Sequence, residues 1–343
     1  MNTQYLNVTD SCSILIDIGG GNLWNFLTAE YADMMSEHCS GVVLGSITQI
    51  SDITLPANAT LLVDGRLYYS GNNVFLLSEG TLLQIRLERD TFRIFIDERT
   101  DTALVPLTLE ALLNYYLPKH GMVYLHTAAF RYEGRVYAIQ AFGGVGKTET
   151  ALEYLLRGAS YISDDIALFT DEGFIIPWPR CISLHDYPFT EEKLRTFGLS
   201  ARLYRLKETL KTAKWFPLRN FYCRLRGRFN LRLSYRQLTT APLPGRTPLP
   251  IDTAWWMEQG EETESFSIQQ TDFLRKIQAC MRHEFSSYVD FEGYLGVVYD
   301  FWPSLVQQHD EVLQKTVLAL PQIKGLKIKD KDYYKAAEII VDS

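Results

Sequence analysis

A glycine-rich segment, AFGGVGKT at residues 141–148, has the residue types and spacing of a phosphate-binding loop. It matches G-x-x-x-x-G-K-[ST] at every defined position except the first, where Ala141 replaces glycine. The residues expected to bind the polyphosphate are Gly143, Gly144, Val145, Gly146, Lys147, Thr148 and Glu149. Lys147 would neutralise the terminal phosphates and Thr148 would hold Mg²⁺, so ATP and Mg²⁺ are the predicted cofactors. The alternative is a glycine-rich turn that binds nothing.

A carboxylate pair and a histidine occur on either side of this segment. Asp164 and Asp165 interrupt the apolar run YISDDIALF, and His126 lies in the earlier run VYLHTAAF. An unpaired carboxylate is costly to bury, so the aspartate pair implies a cation or a hydrogen-bonding partner. Adjacent strand residues face opposite sides, so only one aspartate can meet the nucleotide unless the strand ends or bends there. A lone histidine in a strand is more often a core residue, and only its place before the glycine-rich segment makes His126 a candidate.

The surrounding pattern predicts the elements that would position these residues. Two β-type runs at 122–130 and 134–140 precede the glycine-rich segment, a helix at 148–158 follows it, and a strand at 161–169 comes next. Another helix is predicted at 102–117, ending near Pro118.

The N-terminal third has a different pattern. Residues 11–97 alternate short β-rich segments with Asp-Gly, Gly-Asn and Glu-Gly turns, with one helix expected near 24–36. The GGGN at residues 19–22 lacks a following Lys-Thr, so it predicts a plain strand-to-helix turn. The predicted fold class is α+β or α/β, with a β-rich N-terminal domain at 1–100 and a phosphate-loop catalytic domain at 101–343.

Composition excludes several classes of protein. The 343 residues are 46 % hydrophobic and 22 % charged with a formal net charge of −7, which is typical of a folded globular chain. The longest apolar stretch, at 102–117, falls short of the roughly 18 residues that a bilayer requires, and the N-terminus lacks signal-peptide features. The five cysteines are scattered without a C-x-x-C pair, which argues against a disulfide framework or a cysteine zinc site. We therefore expect a cytoplasmic protein with no membrane partner.

Residues 200–238 depart sharply from this mean. They carry eleven Lys and Arg residues against the single acid Glu208, interleaved with aromatic residues. One interpretation is a pair of amphipathic helices with a solvated basic face. The other is a clamp for an acidic stretch of a peptide or protein, since a solvated face normally interleaves Glu with Lys or Arg. RNA would also suit this interleaving, but no RNA-binding motif accompanies it, so nucleic acid is not the predicted partner.

Residues 126–165 resemble the catalytic domain of the HPr kinase/phosphorylase family. Members of that family place a histidine, a phosphate loop continuing as Ser/Thr-Glu-Thr/Ala-Leu-Glu, an Arg-Gly and an Asp-Asp in this order, and PLPGRTPLPIDTAWWM at 242–257 is similar to the family's Pro-Gly-Arg segment. The resemblance implies that Asp164 is the general base, with His126 beside it, and that Asp165 supports Mg²⁺ or the strand. It also implies that Arg246 stabilises the transferring phosphoryl group, and it leaves a homo-oligomer open because family members assemble into rings.

The sequence thus predicts an ATP- and Mg²⁺-dependent kinase with Asp164, His126, Lys147 and Arg246 as catalytic residues and Thr148 and Asp165 at the metal. The predicted acceptor is a serine hydroxyl of a peptide or protein, such as a ribosomally made precursor peptide, because divergent relatives of the family act on such peptides. Two alternatives stay open: a small-molecule hydroxyl kinase, for instance of serine, and a non-catalytic nucleotide-gated binding module.

Overall fold

The glycine-rich segment joins a strand to a helix in the computed structural model of the chain, which describes residues 2–63, 66–78, 80–102, 104–180, 182–184, 231–233, 245–284 and 295–342. The strands of the first hundred residues are β1 Asn2–Asn7, β2 Cys12–Ile18, β3 Met35–Ser36, β4 Val42–Gln49, β5 Thr60–Val63, β6 Leu67–Ser70, β7 Asn73–Ser78, β8 Thr81–Leu87 and β9 Phe92–Ile96. The later strands are β10 Met122–Leu125, β11 Thr127–Tyr132, β12 Arg135–Gln140, β13 Ser160–Ser163, β14 Ala167–Thr170, β15 Phe174–Ile176, β16 Ile182–Leu184, β17 Leu231–Leu233, β18 Leu249–Pro250, β19 Thr253–Gln259, β20 Glu264–Phe266 and β21 Ile323–Ile328. The helices are α1 Asn22–Glu30, α2 Leu104–Tyr116, α3 Lys147–Leu156, α4 Gln270–Glu284, α5 Trp302–Ala319 and α6 Tyr333–Asp342, with 3₁₀ turns at Ala32–Met34 and Leu117–His120.

The β-rich character predicted for the N-terminal region is confirmed. Within the described residues, nine strands form one sheet in the order β3-β1-β2-β4-β9-β8-β7-β6-β5, with β2, β4 and β9 parallel to one another. The GGGN segment makes a strand-to-helix turn, because β2 ends at Ile18 and α1 begins at Asn22. The helix expected near 24–36 is α1 followed by the 3₁₀ turn at Ala32–Met34.

The glycine-rich segment belongs to a second sheet. Among the described strands this sheet runs β13-β11-β12-β19-β21-β20, and β12, β19 and β21 are parallel. One face packs on α3 and α6 through residues such as Ile139, Leu152 and Ala337. The other face contributes to a core shared with β10, β14, β15 and α4, where Ala138, Leu168 and Ile277 are buried. Successive buried residues of β12 face opposite sides of the sheet, so Ile139 packs on the helices and Ala138 packs toward the smaller sheet.

Two strands predicted as continuous are interrupted at neighbouring positions. The run at 122–130 divides at His126 into β10 and β11, and the run at 161–169 divides after Ser163 into β13 and β14. The strands β10 and β14 pair in the smaller sheet, which has the order β10-β14-β15-β18, while β11 and β13 pair in the larger one. The chain therefore crosses between the two sheets at His126 and again at residues 164–166. Because both crossings lie side by side, His126 and the two aspartates come close together.

One hydrophobic cluster connects the N-terminal sheet to the rest of the described chain. It includes Ile14 and Phe92 of the first sheet, Leu112 of α2, and Leu168 and Val317 from the later elements. The architecture of the described residues is therefore mixed α/β with a β-rich N-terminal region. None of the described helices is long and apolar enough to cross a membrane.

Candidate active site

The glycine-rich segment, called the glycine loop below (residues 141–148), leaves β12 and enters α3. Gly144 and Gly146 have φ angles of 78° and 114°, a region in which a side chain is strained. A Cβ atom on Gly146 would also lie 2.4 Å from the Tyr333 ring, whereas the space beside Gly144 is open. Ala141 has no such requirement, because among the described non-glycine residues positive φ occurs at Glu133, Asp165 and Lys331. The two glycines with strained φ are therefore present where the loop needs them, and alanine is tolerated at its first position.

The loop presents backbone donors at the start of a helix. The cap residue of α3, Gly146, supplies no side-chain hydrogen bond to the first turn. No hydrogen bond within the described residues engages the amides of Gly144, Gly146, Lys147 or Thr148. Such amides, together with the positive end of the helix dipole, form a binding site for an anion such as a phosphate.

Lys147 turns its ammonium group toward His126 and Asp165. Its Nζ atom lies 2.7 Å from His126 Nε2 and 3.7 Å from Asp165 Oδ1, and its side chain is only 7 % exposed. His126 Nδ1 donates to the carbonyl oxygen of Ala141 at 2.8 Å, which leaves Nε2 to face both neighbours. In the neutral ring Nε2 accepts from Lys147, and in the protonated ring it donates to Asp165, 3.1 Å away. Lys147 and Asp165 therefore compete for the same ring nitrogen.

The two aspartates have opposite environments. Asp164 is 5 % exposed and its Oδ1 accepts a hydrogen bond of 2.8 Å from Thr148 Oγ1. Asp165, with φ of 68°, turns the other way and its side chain is 67 % exposed. An aspartate tolerates this left-handed conformation better than most residues, and the interruption between β13 and β14 makes room for it. The structure thus pairs Thr148 with Asp164 rather than with Asp165.

The pKa values of the two carboxyl groups are shifted in opposite directions: that of Asp164 is raised and that of Asp165 is lowered. Burial raises the pKa of Asp164 to about 7; the charge of Lys147 and the hydrogen bond from Thr148 oppose this shift, and the charge of Asp165 adds to it. Crowding by protein also raises the pKa of Asp165, but the hydrogen bond from His126 and the charge of Lys147 outweigh it and hold that pKa below its ordinary value. Asp165 is therefore a carboxylate at neutral pH, whereas the charged form of Asp164 is disfavoured by burial and is only partly compensated by Lys147.

Thr148 and Asp164 suit Mg²⁺. They offer a hydroxyl and a carboxylate oxygen, the hard donors that this ion prefers. Their separation of 2.8 Å is close to the edge of about 2.9 Å that an octahedron with bonds of about 2.0–2.1 Å would have. These two residues are the pair in this part of the site that could hold the ion.

The last turn of α4 packs against the start of the glycine loop. Cys280 Sγ donates to the carbonyl oxygen of Ala141 at 3.2 Å, and Glu284 Oε1 accepts from the Gly143 amide at 2.6 Å. The donor atoms of His126, Cys280 and Glu284 lie within 4.8 Å of one another, a grouping that could suggest a metal site. However, His126 Nδ1 and Cys280 Sγ both donate to Ala141 O, so this is a hydrogen-bonded cluster. Burial raises the pKa of Cys280 to about 12, which keeps it a thiol and fits the donor role.

A buried charged triad lies behind the aspartates. Arg180, which follows β15, contacts Glu30 of α1 at 2.9 Å and Glu110 of α2 at 2.7 Å. Tyr31 adds a hydrogen bond of 3.0 Å to Glu110. Burial raises the pKa of Glu110 to about 7, while Arg180 lowers it and Asp165 contributes a smaller increase, so the triad lies within electrostatic reach of the site. It ties the N-terminal sheet, through α1, to the layer that carries Asp165.

Arg246 lies against the N-terminal region. Its Nη2 donates to the carbonyl oxygen of Asp33, in the 3₁₀ turn after α1, at 3.3 Å. Burial lowers the pKa of Arg246 to about 10, and the charges of Asp10 and Asp33 oppose this shift. In the part of the chain that the structure describes, no hydrogen bond or ion pair joins Arg246 to the glycine loop, His126 or the aspartates. Glu149, in contrast, is in the first turn of α3, and its charge adds to the raised pKa of Asp164.

The structure thus brings together five of the residues predicted from sequence: His126, Lys147, Thr148, Asp164 and Asp165. The sequence interpretation missed Cys280 and Glu284, which lie far along the chain, and Arg180, which is nearer; all three are in segments without a motif. Most of the basic segment at 200–238 lies outside the described residues. Comparison with models of protein families and with curated proteins finds no match to this chain.

The raised pKa of Asp164 predicts a pH effect on stability. The folded state has a pKa of about 7 at this carboxyl, against about 3.9 in the unfolded chain. The folded state therefore binds more protons between these values, and stability falls as pH rises toward 7. Asp164→Asn removes the titrating group, so its free energy of unfolding should gain about 2 to 3 kcal/mol relative to the wild type between pH 5 and pH 8.

Urea unfolding of both proteins in EDTA at the two pH values measures this difference. Asp300→Asn is the matched control, because residue 300 is exposed and its variant should follow the wild-type pH profile. Parallel profiles for the wild type and Asp164→Asn would contradict the assignment of a buried, cation-seeking carboxyl.

Proposed function

We propose that this chain is a phosphotransferase with a phosphate-loop catalytic domain similar to that of the HPr kinases. It would transfer the γ-phosphoryl group of Mg²⁺-bound ATP to a serine hydroxyl of a peptide or protein. The observation that carries the proposal is the convergence of His126, Lys147, Thr148, Asp164 and Asp165 at the N-terminus of α3. A glycine-rich turn that binds nothing would not require a buried lysine, a hydroxyl and two aspartates beside it, because charged groups are costly to bury.

The glycine loop would bind the polyphosphate. The amides of Gly144, Gly146 and Lys147 have no partner among the described residues, the space beside Gly144 is open, and the positive end of the α3 dipole favours an anion there. Lys147 is in the first turn of the same helix, so its ammonium group can exchange the contact with His126 for one with a phosphate oxygen. This exchange would place a positive charge where negative charge develops during transfer.

Thr148 and Asp164 would hold Mg²⁺. The chemistry that the ion would supply there is neutralisation of the charge that develops on the phosphate oxygens. Thr148 orients the carboxylate of Asp164 through their hydrogen bond, and burial limits the access of water to the Asp164 carboxylate. The raised pKa of Asp164 supports this role, because a cation beside it offsets the cost of its buried charge.

Asp165 would accept the proton of the acceptor hydroxyl. The sequence interpretation gave this role to Asp164 and gave the metal to Asp165, but the geometry favours the reverse. Asp165 is exposed, so an acceptor can reach it, and it is charged at neutral pH. The serine oxygen would form a bond to the γ-phosphorus as the bond to the β,γ-bridging oxygen breaks, and the serine proton would pass to Asp165.

His126 would position Asp165. Its ring is fixed by the hydrogen bond from Nδ1 to Ala141 O, so Nε2 faces the carboxylate at a set distance. Once Lys147 turns to a phosphate, the ring would take up a proton from solvent at Nε2 and donate it in a hydrogen bond to Asp165.

The acceptor class rests on the sequence of residues 200–238. Their eleven cations beside a single acid would attract an acidic polypeptide, whereas a small-molecule kinase has no use for such a surplus. Arg246 is proposed to serve the same transfer by stabilising the phosphoryl group, after leaving its contact with the Asp33 carbonyl.

Lys147→Ala should abolish phosphoryl transfer and weaken the binding of Mg²⁺·ATP by about 10-fold or more, because it removes the cation nearest to the phosphates. Calorimetric titration with Mg²⁺·ATP measures the affinity, and release of ADP measures turnover. Lys327→Ala is the matched control, since Lys327 is a surface residue paired with Glu264. Equal affinity and turnover in Lys147→Ala and wild type would end the kinase proposal.

Asp165→Asn should reduce turnover by a factor on the order of 10² to 10⁴ while the affinity for Mg²⁺·ATP stays within about 2-fold. Asp164→Asn should instead weaken the dependence of nucleotide binding on Mg²⁺. Both variants are assayed with γ-labelled ATP and a library of serine peptides flanked by Asp and Glu. A swapped pattern would restore the roles first predicted from the sequence.

Charge reversal at Arg224, Arg226 and Arg228 should raise the KM for an acidic acceptor peptide and leave the KM for ATP unchanged. The effect should shrink with added salt, because salt screens attraction beyond a Debye length of about 8 to 10 Å. The control is the same peptide with its Asp and Glu replaced by Asn and Gln, which the reversal should not affect. Equal KM values for the acidic peptide at low salt would rule the clamp out.

A further inference from the structure

A carboxylate of the protein occupies one donor of the glycine loop. Glu284 Oε1 lies 2.6 Å from the Gly143 amide nitrogen, the distance of a short charge-assisted hydrogen bond. A Cβ atom on Gly143 would lie 3.1 and 3.2 Å from the two carboxylate oxygens, so both oxygens face this residue. Glu284 therefore covers the loop at Gly143, whereas the amides of Gly144, Gly146 and Lys147 bind no described residue.

The end of α4 is built to hold Glu284 there. One turn earlier, Cys280 donates to the carbonyl oxygen of Ala141, and the sulfur of Met281 accepts from the His126 amide at 3.3 Å. The His283 ring lies edge-on to Phe142, with 5.8 Å between the ring centroids. The end of the helix thus contacts the loop at Cys280, His283 and Glu284, so packing of α4 against the loop places Glu284 beside Gly143.

The location of Glu284 within its own helix is unfavourable. The C-terminal end of a helix carries partial negative charge, so a carboxylate in the last turn is repelled, whereas Arg282 in the same turn is favoured. The negative charge of Glu284 also disfavours ionisation of the Cys280 thiol. Burial is the larger cause of the raised pKa of that thiol, and Glu284 adds to it. The Gly143 amide compensates for this, so the carboxylate behaves toward the loop as a bound anion does.

We propose that Glu284 is an internal anion that gates the phosphate site, and this inference rests on the proposed function. A phosphate oxygen and the Glu284 carboxylate cannot share the Gly143 amide, and their like charges repel at that distance. A polyphosphate must therefore displace Glu284 before it engages the whole loop. Displacement of the carboxylate would remove one of the contacts between the end of α4 and the loop, so nucleotide binding would be coupled to the last turn of this helix.

Glu284→Gln tests the gate, because the amide keeps the shape and the hydrogen-bond acceptor while it removes the charge. We expect Mg²⁺·ATP and inorganic tripolyphosphate to bind the variant roughly 5- to 30-fold more tightly than the wild type, the range that follows from losing one such charged contact. Calorimetric titration of the full chain with each compound measures the change. Glu284→Ala should give the same direction of change, which separates charge from any contact of the glutamine.

Asp272→Asn is the matched control, since it removes one negative charge from the first turn of the same helix, where Asp272 pairs with Arg275. It should bind both compounds as the wild type does. Equal affinity of wild type and Glu284→Gln would refute the gate while leaving the proposed function intact, and weaker binding by the variant would make Glu284 part of the binding site instead. Failure of both proteins to bind either compound would refute the gate together with the proposed function.

Discussion

The site depends on one buried lysine. The ammonium group of Lys147 is almost out of water at the start of α3, and a buried charge is tolerated only where polar groups or opposite charges compensate for it. His126 and Asp165 provide that compensation at 2.7 and 3.7 Å. Both partners lie beside it because the chain changes sheets at His126, between β10 and β11, and again beside Asp165, between β13 and β14. The lysine therefore joins the two places where the chain crosses between the sheets, through its contacts with His126 and Asp165.

Local patterns predicted the elements around the loop but not how they break. Glycine spacing and helical periodicity predicted the strand, the loop and the helix that are β12, the glycine loop and α3 in the structure. The helix predicted at 102–117 is confirmed as α2 with its 3₁₀ extension. The apolar runs at 122–130 and 161–169 read as single strands, which is wrong at His126 and at 164–166. An apolar strand looks the same whichever sheet it joins, so the change of sheet has no signature in the run itself. The sequence analysis allowed the strand to end or bend at the aspartates, and in the structure β13 ends at Ser163, directly before them.

Contacts between distant segments were beyond the reach of the sequence. Glu284 meets Gly143, and Arg180 meets Glu30 and Glu110, only because α4 and α1 pack beside the layers that carry the site. Neither helix carries a motif that marks those residues. Tertiary packing also decides the position of Arg246, which lies near a carbonyl oxygen and two acidic residues of the N-terminal region. Side-chain types and spacing thus indicated five residues that the structure brings together, His126, Lys147, Thr148, Asp164 and Asp165, and long-range packing decided which other residues contact them.

The most direct test of this account is the ¹⁵N spectrum of the His126 ring during titration with Mg²⁺ and a non-hydrolysable ATP analogue. Without nucleotide, Nδ1 should carry the proton and Nε2 should accept from Lys147. At saturation, Lys147 should have moved to the phosphates, and the Nε2 resonance should shift toward that of a protonated nitrogen that donates to Asp165. Ring nitrogens that stay unchanged while the analogue saturates the loop would contradict the account.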